Sequence, residues 1–386
     1  MMVQLNNYSL ALLKRRIIIL TILLFSGLYH VYPSNQIEIS LLTCSSGTES
    51  FTAWGHSALR VTDKNKLLDV VYNFGLFDFN TPNFYLKFIR GRLKYYLGIE
   101  LTINFYNAFK AENRQIIEQK LNLTDENENK IIERLTYLYR PENRYYYYDF
   151  AKKNCTTELR DLIFGNIEIE FQNQKISKTY RDLINESLKG KQWLKLGINL
   201  ILGKAVDGEI DRFKSMFLPN YLNNEIKKVA VKGEKLVISE TIYNGVDQKK
   251  SSCSLLLNPA IIFSILLILI IIFKSSKIQF SIFLVIGVTG LLLLVIWLLS
   301  EHQELKNNFN LLWCNPLYLL STILLFKETS KLQIYLAMVL QAFIIGIITI
   351  WIFKIQNWEI AFLPIVAILT LYNFRTIKRG YRLRIM

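Results

Sequence analysis

The pattern of hydrophobic and polar positions changes character near residue 255. From 34 to 252, apolar residues recur at the short periods of a water-soluble domain. Beyond that, long apolar runs alternate with brief polar breaks. In the first part, IEISLLTC (37–44), HSALRV (56–61) and LLDVVYNF (67–74) read as strands, and TDKNK (62–66) turns the last two into a hairpin. RLKYYLGI (92–99) reads as a further strand. Helical spacing follows over roughly 102–120 and 125–139, and YYYYDF (145–150) fits a strand or a loop. Cys155 opens another helix, and 177–225 is mostly helical. These elements predict an α+β domain whose sheet includes an antiparallel hairpin.

Five segments of the second part, roughly 255–273, 278–299, 309–326, 332–353 and 358–374, come near the ~20 residues a helix needs to cross a bilayer. The third is the weakest, because it contains Asn310, Asn315 and Pro316. An all-α bundle of about five spans, 253–374, is therefore expected after the 34–252 domain. At the start of the chain, LKRR followed by IIILTILLFSGLYHVYP is an export signal. No small-x-small cleavage site is evident, so residues 1–33 are a signal peptide or a retained anchor. Cys44 lies beyond the polar SNQIE, too far from the apolar core to be a lipid-attachment cysteine.

Charge changes this picture only in its orientation. The chain of 386 residues carries a formal net charge of +15, which raises the question of nucleic acid. Much of that excess flanks the apolar spans, where Lys and Arg set topology, so no nucleic-acid partner is expected. With the 34–252 domain exported, KSSK (274–277), KETSK (327–331) and a cytoplasmic tail over 375–386 fall inside. They are more basic than the outside loops EHQELKNN (301–308) and KIQN (354–357). The tail is placed to touch anionic membrane lipid. The spans hold almost no intramembrane charge, unlike those of a pump or transporter, and read as an anchor and platform.

The candidate chemistry sits in two stretches, NCTTELRDLI (154–163) and AWGHSALRV (53–61). Asn154 is a favoured N-cap type, which puts Cys155 in a first helical turn, where N–H groups and the helix dipole favour a thiolate. Three readings of Cys155 stay open: a nucleophile, a disulfide partner of Cys44, or a buried thiol. For His56, a turn centred on 64–65 sets Asn73 opposite it, on the same sheet face. Cys155, His56 and Asn73 would then be nucleophile, base and orienter of a thiol enzyme, with Asp78 as the reserve orienter. GHSA does not fit a serine elbow. Three histidines and four scattered cysteines give no metal-ligand spacing, and there is no phosphate-binding glycine loop, so no metal and no cofactor are expected. Around this trio, Tyr72, Tyr148, Asp149, Asn154, Arg160 and Asp161 are candidate pocket residues. His302, in an outside loop, is the residue to watch in the membrane half.

A histidine on a strand followed by a cysteine in NCxxxxRD resembles the circularly permuted papain-like enzymes, which include the NlpC-type cell-wall peptidases and the lecithin:retinol acyltransferases. A longer set of blocks is similar to one family. SLLTCSSGTESFTAWGHSALRV, VVYNFGLFDFNTPNFYLKFIRGRLKYYL, ENRYYYYDFAKKNCTTELRD, TYRDLI, W-x-x-L-G and MFLPNYL, with EH (301–302) before NLLWCNPLYLL (310–320), resemble the Lnb-type lipoprotein N-acyltransferases. That resemblance implies a permuted papain-like (NlpC/LRAT-like) exported domain and catalytic roles for His56 and Cys155. It also implies a phospholipid acyl donor, a diacylated lipoprotein acceptor, and a multi-pass place in a bacterial inner membrane with the catalytic domain in the periplasm. The rival readings are a tethered cell-wall peptidase, a phospholipase, and a non-enzymatic sensor or assembly factor.

Overall fold

The computed structural model describes residues 37–244, 258–325 and 330–385, with side chains to residue 380. The expected export segment 1–33, Lys327 to Thr329 of the inside loop, and the link around 245–257 lie outside the described residues.

The first half is built on an antiparallel sheet of seven strands. These are β1 (Ile37–Cys44), β2 (His56–Asp63), β3 (Leu68–Leu76), β4 (Lys94–Leu101), β5 (Ile116–Leu121), β6 (Tyr145–Tyr147) and β7 (Val237–Tyr243). Their spatial order is β7-β5-β1-β2-β3-β4-β6, and every pairing is antiparallel. Helix α1 (Phe84–Ile89) links β3 to β4 and α2 (Thr102–Ala111) links β4 to β5. α3 (Asp125–Tyr139) and α4 (Cys155–Asn166) follow. Both faces of the sheet are covered. One face packs Ile39, Leu41, Leu59, Val61 and Leu97 against Ile131 and Leu135 of α3 and Leu159 and Ile163 of α4. The other packs Leu42, Cys44, Ala58 and Val71 against Phe105 of α2. Because both faces are covered, Ile39 to Cys44 of β1 are all buried, the polar Ser40 and Thr43 included.

Two expectations need correction. Residues 112–120 do not continue the helix from 102. Asn113 takes a left-handed conformation (φ 53°), and β5 pairs on one side with β1 and on the other with β7. The segment IIEQKL fits either period over so few residues, and pairing on both edges decides it. The β2–β3 hairpin also runs two residues longer than expected, closing at Asp63 opposite Leu68.

Helices α5 (Tyr180–Ser187), α6 (Gln192–Ile201) and α7 (Pro219–Ile226) follow, with a small sheet of Lys175–Thr179 and Glu209–Asp211 beside them. α6 is the seam between halves. Ile198 packs on the cluster of Leu183, Ile184, Phe217 and Leu218, while Leu196, Leu200 and Ile201 join the core of the second half.

The second half is helical: α8 (Pro259–Ile272), α9 (Ser276–Leu299), α10 (Leu317–Leu324), α11 (Lys331–Ile352) and α12 (Phe362–Ile385). Of these, α9 and α11 are long and apolar enough to cross a membrane. The expected third span is not one continuous helix. A short turn over Phe309–Leu312 precedes α10, and Pro316 begins the new helix. Its Asn310 and the Asn308 of the loop before it have a structural use. Asn308 Nδ2 donates to the carbonyls of Leu200 and Ile201, and Asn310 Nδ2 to those of Asn199 and Leu200. These are the last carbonyls of α6, left without partners by the helix end. Arg181 supplies the next two, bonding the Leu202 and Gly203 oxygens while paired with Asp207. Gly203 must be glycine for closeness alone, because a β-carbon there would strike the Lys306 carbonyl. The first loop expected outside touches the first half through Glu301 and Arg92, and just past the second, Glu359 of the expected fifth span pairs with Lys195 at 2.8 Å. Arg375, Lys378 and Arg379 of the expected tail lie on α12.

Candidate active site

The site forms where β2, β3 and the start of α4 meet. Asn154 caps α4 in a reciprocal box: its carboxamide oxygen accepts the N–H of Thr156 (2.8 Å) and Thr157 (2.9 Å), and the Thr157 hydroxyl accepts the Asn154 N–H (2.8 Å). Its Nδ2 donates to the carbonyls of Phe150 and Phe217, so the cap is fixed from both sides. Cys155 is therefore the first helical residue, and its own N–H is left uncapped by Asn154.

Against Cys155 lies a bulge in β3. Pairing with β4 shifts between Asn73 and Leu76, and Gly75 takes φ +91° there. A β-carbon on Gly75 would sit 3.2 Å from the Cys155 β-carbon, so glycine is required both for its conformation and for the approach.

His56 begins β2 and hydrogen-bonds to the Cys155 thiol. Its Nε2–H donates to Asn73 Oδ1 at 2.7 Å, which leaves Nδ1 to exchange a proton with sulfur. Asn73 is oriented in turn, since its Nδ2 donates to Glu100 Oε1 at 3.1 Å. The expected contact forms through a different register. Observed pairing sets Leu59 opposite Tyr72, which carries Asn73 to Ala58 rather than to His56. A shift of two residues keeps the same face, so His56 and Asn73 still meet as diagonal neighbours.

Burial pushes the Cys155 thiol up, but the His56 charge, the His56 hydrogen bond, the Ser57 N–H and the Thr156 hydroxyl together overcome it. The thiol falls to about 7. For His56, burial works against the charged form, and Cys155 and Asn73 outweigh it, so its proton is held above the usual imidazole range. Both shifts favour a thiolate beside an imidazolium. Cys155 and Cys44 are both free, so the disulfide alternative does not form. Cys44 stands opposite His56 on β1, fully buried, and burial pushes its thiol far up.

The three residues open on a cavity of about 490 Å³. Most of its wall is apolar, including Phe77, Phe88, Ile184, Ile198, Leu218 and, from the membrane half, Ile296 and Leu305. Its polar wall includes Tyr148, Arg114, His302 and Glu304. Tyr148 stacks on Tyr95 at 4.4 Å, and burial pushes its phenol well up. Arg114 stacks on Phe109, which itself stacks on His56; one of its buried guanidinium nitrogens, Nη2, has no partner.

The other candidates divide. Asp149 caps its own loop through the N–H of Ala151 and Lys152, and its carboxyl stands beside that of Glu304. Arg160 lies over Phe213 and pairs with Asp161 at 2.7 Å, outside the cavity wall. Tyr72 packs into the sheet core. Asp78 caps a turn at Asn80 and does not reach His56. Reading the sequence missed Glu100, Gly75, Arg114 and Glu304. The β4 register would have found Glu100, but no local pattern marks the other three.

Two family models match the chain: the Lnb N-terminal periplasmic domain over residues 26–186, and the Lnb transmembrane domain over 249–381. No curated protein and no solved structure matches it.

Proposed function

The chain belongs to the family that joins an Lnb N-terminal periplasmic domain to an Lnb transmembrane domain, and from that premise we propose that it is a lipoprotein N-acyltransferase of the bacterial inner membrane. The family membership points to a membrane enzyme that modifies lipoproteins, with its first domain in the periplasm. The finer reading is that residues 34–252 form a permuted papain-like thiol enzyme and that 253–374 cross the membrane several times. The reaction moves an acyl chain from a phospholipid to the amine of a diacylglyceryl-cysteine.

One observation carries this reading. A hydrogen-bonded Cys155–His56–Asn73 chain opens on a mostly apolar cavity whose wall is shared with the membrane half. A peptide substrate would call for backbone partners along a groove; an acyl chain calls for an apolar wall that continues toward the lipid. Arg114 adds a cation with a free nitrogen, suited to a phosphate ester.

The steps follow from the proton positions. The Cys155 thiolate attacks the ester carbonyl of the phospholipid, forming a C–S bond, and the Cys155 N–H is placed to take the oxyanion. The C–O bond breaks, and His56 gives its proton to the leaving alcohol of the lysophospholipid. Neutral His56 then accepts a proton as the lipoprotein amine attacks the thioester. The C–N bond forms, the C–S bond breaks, and the thiolate and imidazolium return. Holding both lipids beside the sulfur lowers the entropic cost of each step.

The test is mass spectrometry of lipoprotein N-terminal peptides from cells that rely on the parent chain, Cys155→Ser or His56→Ala at matched membrane levels. The third acyl chain disappears in both variants. If it persists in both, the thiol reading is overturned in favour of a sensor or assembly factor. Lysophospholipid release without N-acylation by the parent would mark a phospholipase, and altered wall fragments with unchanged lipoproteins a peptidase.

A further inference from the structure

The cavity has a second polar end that the thiol chemistry does not use. Glu304, in the loop after α9, is only 6% exposed, and its Oε2 has no hydrogen-bond partner. Its Oε1 accepts the Ala151 N–H at 3.3 Å, and its own carbonyl accepts the Gly203 N–H at 2.8 Å. The carboxyl is thus held in the cavity wall by the first half of the chain. Asp149 stands beside it, and among the described residues neither acid has an ion-pair partner. His302 completes the group. One ligand atom from each of Asp149, His302 and Glu304 lies within 4.8 Å of the others.

The imidazole is set as a metal ligand's would be. His302 Nε2–H donates to the Phe88 carbonyl at 3.1 Å. That bond fixes the tautomer and leaves Nδ1 with a lone pair, the outer-shell arrangement that commonly holds a ligating histidine. Gly91 (φ +72°) packs against the ring, where a β-carbon would lie 3.4 Å from Nε2. Two carboxylates and one imidazole suit zinc or another borderline divalent cation. Three protein ligands with a fourth position open is the pattern of reactive rather than purely structural zinc sites. Tetrahedral zinc would set the ligand atoms about 3.3 Å apart, so closing on the ion asks for movements of about 1 Å.

We propose that Asp149, His302 and Glu304 bind a divalent transition cation that ties the 301–305 loop to the first half and presents an open coordination position to the cavity. An anionic oxygen of a bound substrate is the class of group that position takes. The residues come from segments about 150 positions apart, so ligand spacing in the sequence gives no sign of them. The inference concerns occupancy alone and stands whether the cavity's reaction is acyl transfer or hydrolysis.

The experiment uses the full chain in detergent carrying Cys155→Ser, which removes the thiolate as a competing ligand. After chelation, Zn²⁺ and Mn²⁺ are titrated in and bound metal is counted by mass spectrometry. One tight equivalent is expected, together with a metal-dependent rise in melting temperature. Glu304→Gln, His302→Gln and Asp149→Asn each weaken binding at least tenfold and abolish that rise. The two nearly isosteric carboxyl variants keep the metal-free melting profile, which separates lost binding from lost folding. Absence of a stoichiometric ion from the Cys155→Ser chain, or unchanged binding in Glu304→Gln and Asp149→Asn, overturns the proposal and leaves the two acids sharing a proton.

Discussion

At one end of the cavity, Cys155 and His56 face each other as acid and base, and each stabilises the charged form of the other. At the other end, Glu304 and Asp149 are two acids side by side, and burial followed by the Asp149 carboxyl pushes Glu304 up. The first end needs nothing from outside to balance its charge. The second needs a proton or a cation. The two ends also differ in origin. The thiol end comes from neighbouring strands and one helix of a single domain, whereas the carboxylate end exists only when the membrane half docks. Self-sufficient chemistry can be assembled locally; an unbalanced pair of acids marks a place where something else must arrive.

The largest break of that comparison is His56→Ala. Removing a positioned base costs about 10²- to 10⁴-fold in rate. A second readout isolates the electrostatic part. Alkylation of Cys155 by iodoacetamide should rise with a midpoint near pH 7 in the parent chain. Without His56 the lowering influences shrink while burial remains, so the midpoint moves up, past the ordinary thiol value of 9. The direction follows from the thiolate being the reactive form: a lowered thiol gains reactivity from pH 7 upward and loses it below. A midpoint unmoved by His56→Ala would mean that the helix terminus alone holds the thiolate.

Asn73→Ala comes next. A hydrogen bond to a charged group is worth about 1.5–3 kcal/mol, so a loss of roughly 10- to 100-fold in rate is expected. Because Asn73 positions His56 and touches no reacting atom, the basic limb of the rate profile should shift down as the imidazolium loses a partner. Glu100→Gln keeps a bond to Asn73 and should cost much less. An equal loss in both would place the effect in the β3–β4 packing instead.

These two tests also mark how far the sequence could be read. His56 and Cys155 stood out because a strand start and a helix start carry local signals, a glycine before one and a capping asparagine before the other. Asn73 was reached through a hairpin register that proved two residues short, and an even error preserves the face. An odd error would have put Tyr72 or Phe74 in its place. The helix expected through 112–120 failed for lack of length: six residues of IIEQKL cannot separate the two periods, and only pairing with β1 and β7 does. The third apolar span failed for a different reason. Its Asn310 looks like a membrane defect in one dimension, yet in three it caps the carbonyls of α6 together with Asn308 of the preceding loop. Asp149 was within reach as a pocket candidate, but Glu304 was not, because nothing local announces a carboxylate that meets its neighbour from a segment about 150 residues away.

The docking of the halves can be tested directly. Asn310 is fully buried, its Nδ2 bonds the α6 carbonyls of Asn199 and Leu200, and its Oδ1 accepts the Trp313 indole N–H. Asn310→Ala leaves these groups unsatisfied, at a cost of about 2 kcal/mol. The chain should melt at a lower temperature. Protease cleavage should also rise in the 301–308 loop, with little change in the alkylation midpoint of Cys155. Its independence from the thiol end is the point of the measurement. A shift in the midpoint would show that the two ends of the cavity are one electrostatic unit.

The smallest effect belongs to Lys195. It reaches Glu359, just past the second loop expected outside, at 2.8 Å, with the two side chains 31% and 13% exposed. A pair this wet contributes less than about 1 kcal/mol, and salt screens it. Lys195→Ala should therefore leave melting nearly unchanged and leave the proposed lipoprotein acylation intact. The comparison with Asn310 rests on where the unsatisfied groups end up. Losing Lys195 leaves Glu359 near water, which can solvate it; losing Asn310 strands peptide carbonyls that water cannot reach. If Lys195→Ala destabilised the chain as much as Asn310→Ala, and high salt mimicked it in the parent, the halves would be held by charge across the second loop. The buried caps of the first loop would then be a consequence of docking rather than its cause.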